Sequence, residues 1–154
     1  MNPDHTADRV HILHTMSVYA ISVDCGDVDG VVSVFMPDGR LELSGGASAV
    51  GRAAIRAFYT PLLAVVRPDG ALPLLRHNLT SSRVEFVDAD TASCRTYFMS
   101  VTPYGLDTCG HYVDTFRRHG TRWLVDRRCI VVDWYASPSW YESARLKAVS
   151  RGGG

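Results

Sequence analysis

Three side chains in this 154-residue sequence combine the parts of a proton-transfer site: a phenol at Tyr19, a carboxylate at Asp24 and an imidazole at His77. Asp24 lies in the apolar stretch YAISVDCGDVDGVVSVF, residues 19–35, where desolvation disfavours its charged form unless it finds a partner. His77, in LLRHNLTSS, is the candidate partner. A carboxylate that fixes the orientation and tautomer of an imidazole lets the ring take or deliver a proton near neutral pH. Tyr19 could donate its phenol proton to a substrate oxygen. Each residue also has a structural reading: Asp24 bonded to backbone at a helix end, His77 half-buried on a strand, Tyr19 packed in the core with its hydroxyl at the protein edge. Five residues rotate side chains by roughly 140° on a regular helix, so Tyr19 and Asp24 converge only if the chain bends near Cys25-Gly26.

Further polar candidates lie on expected strands. Alternation sends about half of Tyr97, Tyr112 and Arg128 inward. An inward Arg128 could bind a carboxylate or stabilise an enolate; the alternative is an ion pair with Asp114 or Asp126. His111 and His119 are less suited, the latter at a hairpin turn. His11 and His14 stand at i, i+3 without an acidic third ligand, so no metal site is expected. The sequence lacks G-x-S-x-G, G-x-x-x-x-G-K-[ST] and G-x-G-x-x-G, which removes the usual grounds for serine-nucleophile, P-loop and dinucleotide chemistry.

Composition narrows the classes further. Sixteen basic residues balance sixteen acidic ones, which gives no support to nucleic-acid binding. No apolar run approaches the roughly 20 residues that span a bilayer, and the polar N-terminus does not resemble a signal peptide. The four cysteines, Cys25, Cys94, Cys109 and Cys129, form no C-x-x-C pair, so reduced thiols in a cytoplasmic protein are expected.

The elements that must position these residues follow from periodicity. Asp8 to about Val23 reads as a helix with Val10, Leu13, Ser17 and Ala20 on one face and Ile12, Met16, Tyr19 and Val23 adjoining it, started by Thr6 or Asp8 and stopped at Gly26. Asp27 caps a second helix, Val28 to Phe35. Pro37-Asp38-Gly39 reads as a turn, Arg40 to Ser44 as a short strand and Gly45 to Ser48 as a loop. Gly51 to about Val66 reads as a third helix with Ala54, Ile55, Phe58 and Leu62 or Leu63 inward and Pro61 able to kink it. Four long strands follow, Leu74–Val87, Thr91–Thr102, Cys109–His119 and Trp123–Trp134, joined by short turns. A further short helix is expected within Ser137 to Val149. Helices followed by consecutive antiparallel strands indicate one α+β domain over 1–154, with its core at about 8–135 and a tail from 136.

With these residues placed, the chain resembles the SnoaL-like branch of the nuclear transport factor 2 superfamily. The landmarks are Tyr19 with Asp24-x-x-Asp27, Phe35-x-x-Asp38-Gly39, Gly51-Arg52 with Ala54-Ile55, Arg76-His77, Gly110-x-Tyr112-x-Asp114, and Trp123 followed by Arg128. The resemblance implies a conical α+β barrel: a strongly curved, mostly antiparallel sheet wrapped around about three N-terminal helices, open at the mouth of an apolar pocket. It commonly also implies a homodimer through the outer face of the sheet. Within the superfamily the chain is similar to scytalone dehydratase and the bile-acid dehydratase. By that likeness Asp24 and His77 are the catalytic pair and Tyr19 the pocket tyrosine; Phe35, Phe58, Tyr97, Tyr112, Arg128 and Trp134 are expected to bind substrate. Where scytalone dehydratase carries a second histidine, this chain offers Ser100 or Val101. The implied activity is cofactor-independent loss of water from a small hydrophobic hydroxy-carbonyl compound. The fold also serves cyclases, isomerases and non-catalytic binding or assembly subunits.

Overall fold

The computed structural model describes residues 5–64 and 74–139. Helix α1 runs Thr6–Cys25 and α2 Val28–Ser33. Strands β1 (Phe35–Leu43) and β2 (Ser48–Val50) come next, then α3 (Arg52–Leu63). Four strands complete the chain: β3 (Arg76–Phe86), β4 (Thr91–Thr102), β5 (Gly105–His119) and β6 (Arg122–Tyr135). They form one six-stranded sheet in the order β2-β1-β6-β5-β4-β3. β1 runs parallel to β6, and every other pairing is antiparallel. The expected α+β class holds, but the curved sheet is not closed into a barrel: β2 and β3 remain its edges, with the helices packed on its inner face.

Helix α1 presents Ile12, Thr15, Met16, Tyr19, Ala20 and Ser22 to the core, whereas Val10 and Leu13 face solvent. The expected stripe is therefore rotated. Thr15 can face inward because its hydroxyl lies 2.8 Å from the Trp123 carbonyl oxygen, so burial leaves no unpaired group. Gly26 ends the helix at φ 70°, a conformation that costs glycine little. Asp27 caps α2, accepting from the Gly30 N–H at 2.9 Å. Asp8 does not cap α1. Its carboxylate takes two nitrogens of Arg118, at 3.0 and 2.9 Å, and the Trp123 indole N–H at 2.8 Å.

Three local expectations are corrected. The second helix ends at Ser33, and Phe35 opens β1 instead; the expected Pro37–Gly39 turn is an irregularity within that strand, where its register against β6 shifts between Phe35 and Arg40. Backbone packing explains why glycine serves there: a Cβ on Gly39 would approach the Met36 and Val125 carbonyl oxygens to 3.0 Å. The expected Gly45–Ser48 loop is shorter, since Ser48 already pairs with β1 as the start of β2. Pro61 sits in the last turn of α3, which ends at Leu63. Arg67–Pro73 of the expected loop and nearly all of the expected tail helix lie outside the described residues.

Alternation along the long strands fixes which side chains enter the concave face. On β4 these are Ala92, Cys94, Thr96, Phe98 and Ser100; on β5, Gly110, Tyr112, Asp114 and Phe116. On β6 Trp123 and Val125 point inward, a register shift follows, and Arg128 continues the inner face.

Candidate active site

Asp24 and His77 meet. The last turn of α1 carries Asp24 to the start of β3, where the carboxylate lies 2.7 Å from Nδ1 of His77. The His77 backbone N–H donates to the same carboxylate, at 3.2 Å to Oδ1 and 3.0 Å to Oδ2. An ionised carboxylate only accepts, so Nδ1 carries the proton of a neutral ring and Nε2 presents a lone pair. The side chains are 14% (His77) and 10% (Asp24) exposed, sheltered yet reachable. Phe98 flanks the imidazole with ring centroids 6.3 Å apart.

Tyr19 belongs to a neighbouring cluster. No bend brings it round to Asp24, because α1 stays helical through Cys25. Its hydroxyl instead meets that of Tyr59 on α3 at 2.5 Å. Its ring packs edge-on against Phe35 and Tyr112, at 6.3 and 5.8 Å. Beside it lies Arg128, 0% exposed, paired with Asp114 through two hydrogen bonds of 2.9 and 2.6 Å. The guanidinium sits in the corner between the nearly perpendicular Tyr19 and Tyr112 rings, 4.1 and 4.3 Å from their centroids. Of the ion-pair partners read from sequence, Asp114 is the one found; Asp126 goes to Arg117 at 2.7 Å. The third guanidinium nitrogen, Nη1, is buried without a hydrogen-bond partner.

Tyr112 joins the two groups: it stacks on Phe98 at 4.6 Å and touches Tyr19 on its other side. Burial raises the phenol pKa of Tyr19, which Arg128 partly offsets, and pushes those of Tyr59 and Tyr112 well up, helped by neighbouring Tyr19. All three are therefore neutral proton donors at physiological pH. Burial likewise raises the Asp114 pKa against the pull of Arg128; desolvation opposes the Arg128 charge, but Asp114 outweighs it and keeps that pKa above the ordinary arginine value.

The remaining expected pocket residues divide. Phe35 is fully buried, and Phe58 is half-buried with its ring 5.2 Å from Tyr59. Tyr97 and Trp134 do not line the concave face; they are 51% and 48% exposed. Tyr97 follows the odd-numbered face of β4 and packs on His111 across the outer surface. Trp134 is turned outward by a register shift: Gly110 pairs with Val132, but Cys109 pairs with Trp134. Tyr59, Ser100 and Thr108 were not assigned to the site from sequence, although Ser100 shares the even-numbered face of β4 with Phe98. Ser100 is the direct cross-strand partner of His77, and its hydroxyl bonds that of Thr108, which donates to Asp107 at 3.2 Å. Among the described residues no group of three or more His, Cys, Asp or Glu side chains could hold a metal ion, and no helix is long and apolar enough to cross a membrane.

Comparison with known proteins agrees with this architecture. No curated protein matches the sequence. Among solved structures, a protein from Novosphingobium aromaticivorans provisionally assigned as an aromatic ring hydroxylase is 32% identical, covering 83% of this chain and 90% of its own, with TM-score 0.68. An NTF2-like protein with a cystatin-like fold from the same organism is 28% identical, covering 85% and 86%, with TM-score 0.68. A provisionally assigned scytalone dehydratase, again from that organism, shares the fold at TM-score 0.74 with 18% identity, covering 84% and 87%. Residues 4–129 match the SnoaL-like domain family, and the chain belongs to that family.

Proposed function

We propose that the protein is a cofactor-independent lyase of dehydratase type acting on a small hydrophobic hydroxy-carbonyl compound. One observation carries the reading: Nδ1 of His77 is tied to Asp24, which leaves the Nε2 lone pair of a side chain that is 14% exposed. Nε2 removes the proton alpha to the carbonyl, and the C–H electron pair moves into an enolate. Tyr19 and Tyr112 stabilise the developing oxyanion. The enolate then reforms the carbonyl and the alkene while the β C–O bond breaks. The leaving hydroxide takes the imidazolium proton and departs as water. Each positioned acid or base contributes typically about 10²–10⁴-fold, enough for a modest enzyme.

The aldol adduct of benzaldehyde and acetone tests this reaction, because elimination converts it to benzalacetone with loss of one water. The wild-type protein should produce benzalacetone and His77→Ala should not; equal turnover by the two proteins would reject the mechanism. The same proton transfers would serve a cyclase or isomerase, whose product keeps the substrate mass. A non-catalytic assembly subunit is the competing class. It draws on a fold match, at 16% identity, to the β subunit of a provisionally assigned ring-hydroxylating dioxygenase. That reading predicts co-purification with a larger partner chain and no benzalacetone. We also propose a homodimer through the outer sheet face, supported by exposed Tyr97, Met99 and Trp134. Sedimentation as a monomer would remove it.

A further inference from the structure

Resting on that reading, we infer that Ser100, Thr108 and Asp107 form a second polar arm of the site, which accepts a hydrogen bond from the hydroxyl of the ligand. Ser100 is the direct antiparallel partner of His77, so their side chains rise from the same face with Cβ atoms about 5 Å apart. Both are flanked by Phe98, which is buried and two residues from Ser100 on the same face. Ser100 and Thr108 are 1% and 5% exposed, and Asp107 is 5% exposed. Three polar side chains in a row at such depth need an ordered hydrogen-bond chain.

The proton order of that chain can be worked out. The Asp107 carboxylate only accepts, so the Thr108 hydroxyl donates to it at 3.2 Å. Thr108 has then spent its one proton, and in its bond with Ser100 it must be the acceptor. Ser100 therefore spends its own proton on Thr108. What Ser100 offers beside His77 is lone pairs alone. A ligand carbonyl placed there meets a second acceptor and is rejected; an alcohol can donate and is held. The arm thus selects hydroxylated ligands and orients the C–O bond that breaks, while the carbonyl is left to donor groups elsewhere in the cone.

A pair of ketones that cannot lose water isolates this effect. The aldol adduct of benzaldehyde and diisopropyl ketone carries the hydroxyl but has no hydrogen on the carbon between the two functional groups. Its deoxy counterpart, benzylated diisopropyl ketone, differs only by that hydroxyl. Calorimetric dissociation constants for both should favour the hydroxy ketone by about three- to tenfold in the wild type, the range of one neutral hydrogen bond. Ser100→Ala should bring the ratio to about one, with the deoxy ketone's own affinity unchanged. Thr108→Val frees the Ser100 proton but leaves its lone pairs, so the ratio should stay above one in that variant. A ratio unchanged in folded Ser100→Ala overturns the assignment, as does a wild-type ratio of one or the absence of saturable binding by either ketone. Benzalacetone formation from the acetone adduct decides the lyase reading separately, so persistence of that activity with a failed ratio would remove the Ser100 arm alone.

Discussion

Two carboxylate pairs stand on neighbouring parts of the same concave face and behave oppositely. Asp24–His77 joins the end of α1 to the start of β3, is partly open, and leaves Nε2 of the imidazole uncommitted. Asp114–Arg128 bridges adjacent strands with no exposure, and its guanidinium is flanked by two aromatic rings. A sealed pair loses much of its Coulomb gain to desolvation, so its main requirement is that neither member is left alone. A pair that keeps some exposure retains a proton it can exchange. On the proposed reading, burial, more than the chemistry of the pair, separates the Asp24 carboxylate from the structural Asp114.

Breaking the sealed pair should have the largest effect. Arg128→Leu leaves Asp114 as an unpaired buried carboxylate and should cost about 3–5 kcal/mol of unfolding free energy. Adding Asp114→Leu should restore most of that loss. Urea denaturation of the three proteins measures this, and a single variant as stable as the wild type would erase the contrast. Asp24→Asn reverses the balance. It should lower benzalacetone production by about 10²–10⁴-fold through loss of the tautomer-fixing anion. Its stability should shift by only about 1–2 kcal/mol, because the amide oxygen can still accept from the His77 backbone N–H. A stability loss as large as that of Arg128→Leu would place Asp24 in the structural class.

Gly110 lies on β5 between the two regions. A Cβ there would come within 2.1 Å of the Val131 carbonyl oxygen and 3.1 Å of the Phe98 ring. Gly110→Ala should therefore cost about 1–3 kcal/mol and disturb Phe98 beside His77, visible as reduced turnover in the fraction that stays folded. Full stability and activity would show that the β5–β6 register relaxes freely.

A surface pair gives the smallest effect. Arg118 and the Trp123 indole lower the Asp8 pKa to about 2 from an ordinary 3.8. A carboxyl with a depressed folded-state pKa adds stability that is present above its unfolded value and lost as pH falls through the folded one. Wild-type stability should therefore fall more steeply than that of Asp8→Asn between about pH 4 and pH 2. Parallel curves would contradict the assignment.

Much of this was legible in the sequence for local reasons. Gly26 and Asp27 mark the α1–α2 junction through backbone conformation and capping. The landmark residues prove to be contacts: Arg52 donates to the Phe35 carbonyl at 3.0 and 2.7 Å, and Trp123 donates to Asp8. Asp24 meets His77 across 53 residues, a pairing that family likeness suggested and periodicity alone did not. Register shifts were the main source of error. Trp134 was turned outward by one beside Gly110, and the Pro37–Gly39 turn was absorbed into a strand by another. Such shifts depend on pairing between distant segments and leave no local signature. Tyr59 was missed because its neighbour Phe58 satisfied the same apolar period, and the Ser100–Thr108–Asp107 chain because its order exists only once two strands are paired.

The proposed removal of a carbon-bound proton by His77 can be measured apart from elimination. Benzylacetone has exchangeable protons alpha to its carbonyl but no hydroxyl to lose. In D₂O, the wild-type protein should accelerate deuterium uptake at those positions, read by NMR, and His77→Ala should fall to the rate of buffer alone. Equal exchange by both proteins, with His77→Ala still folded, would show that the imidazole is not the base.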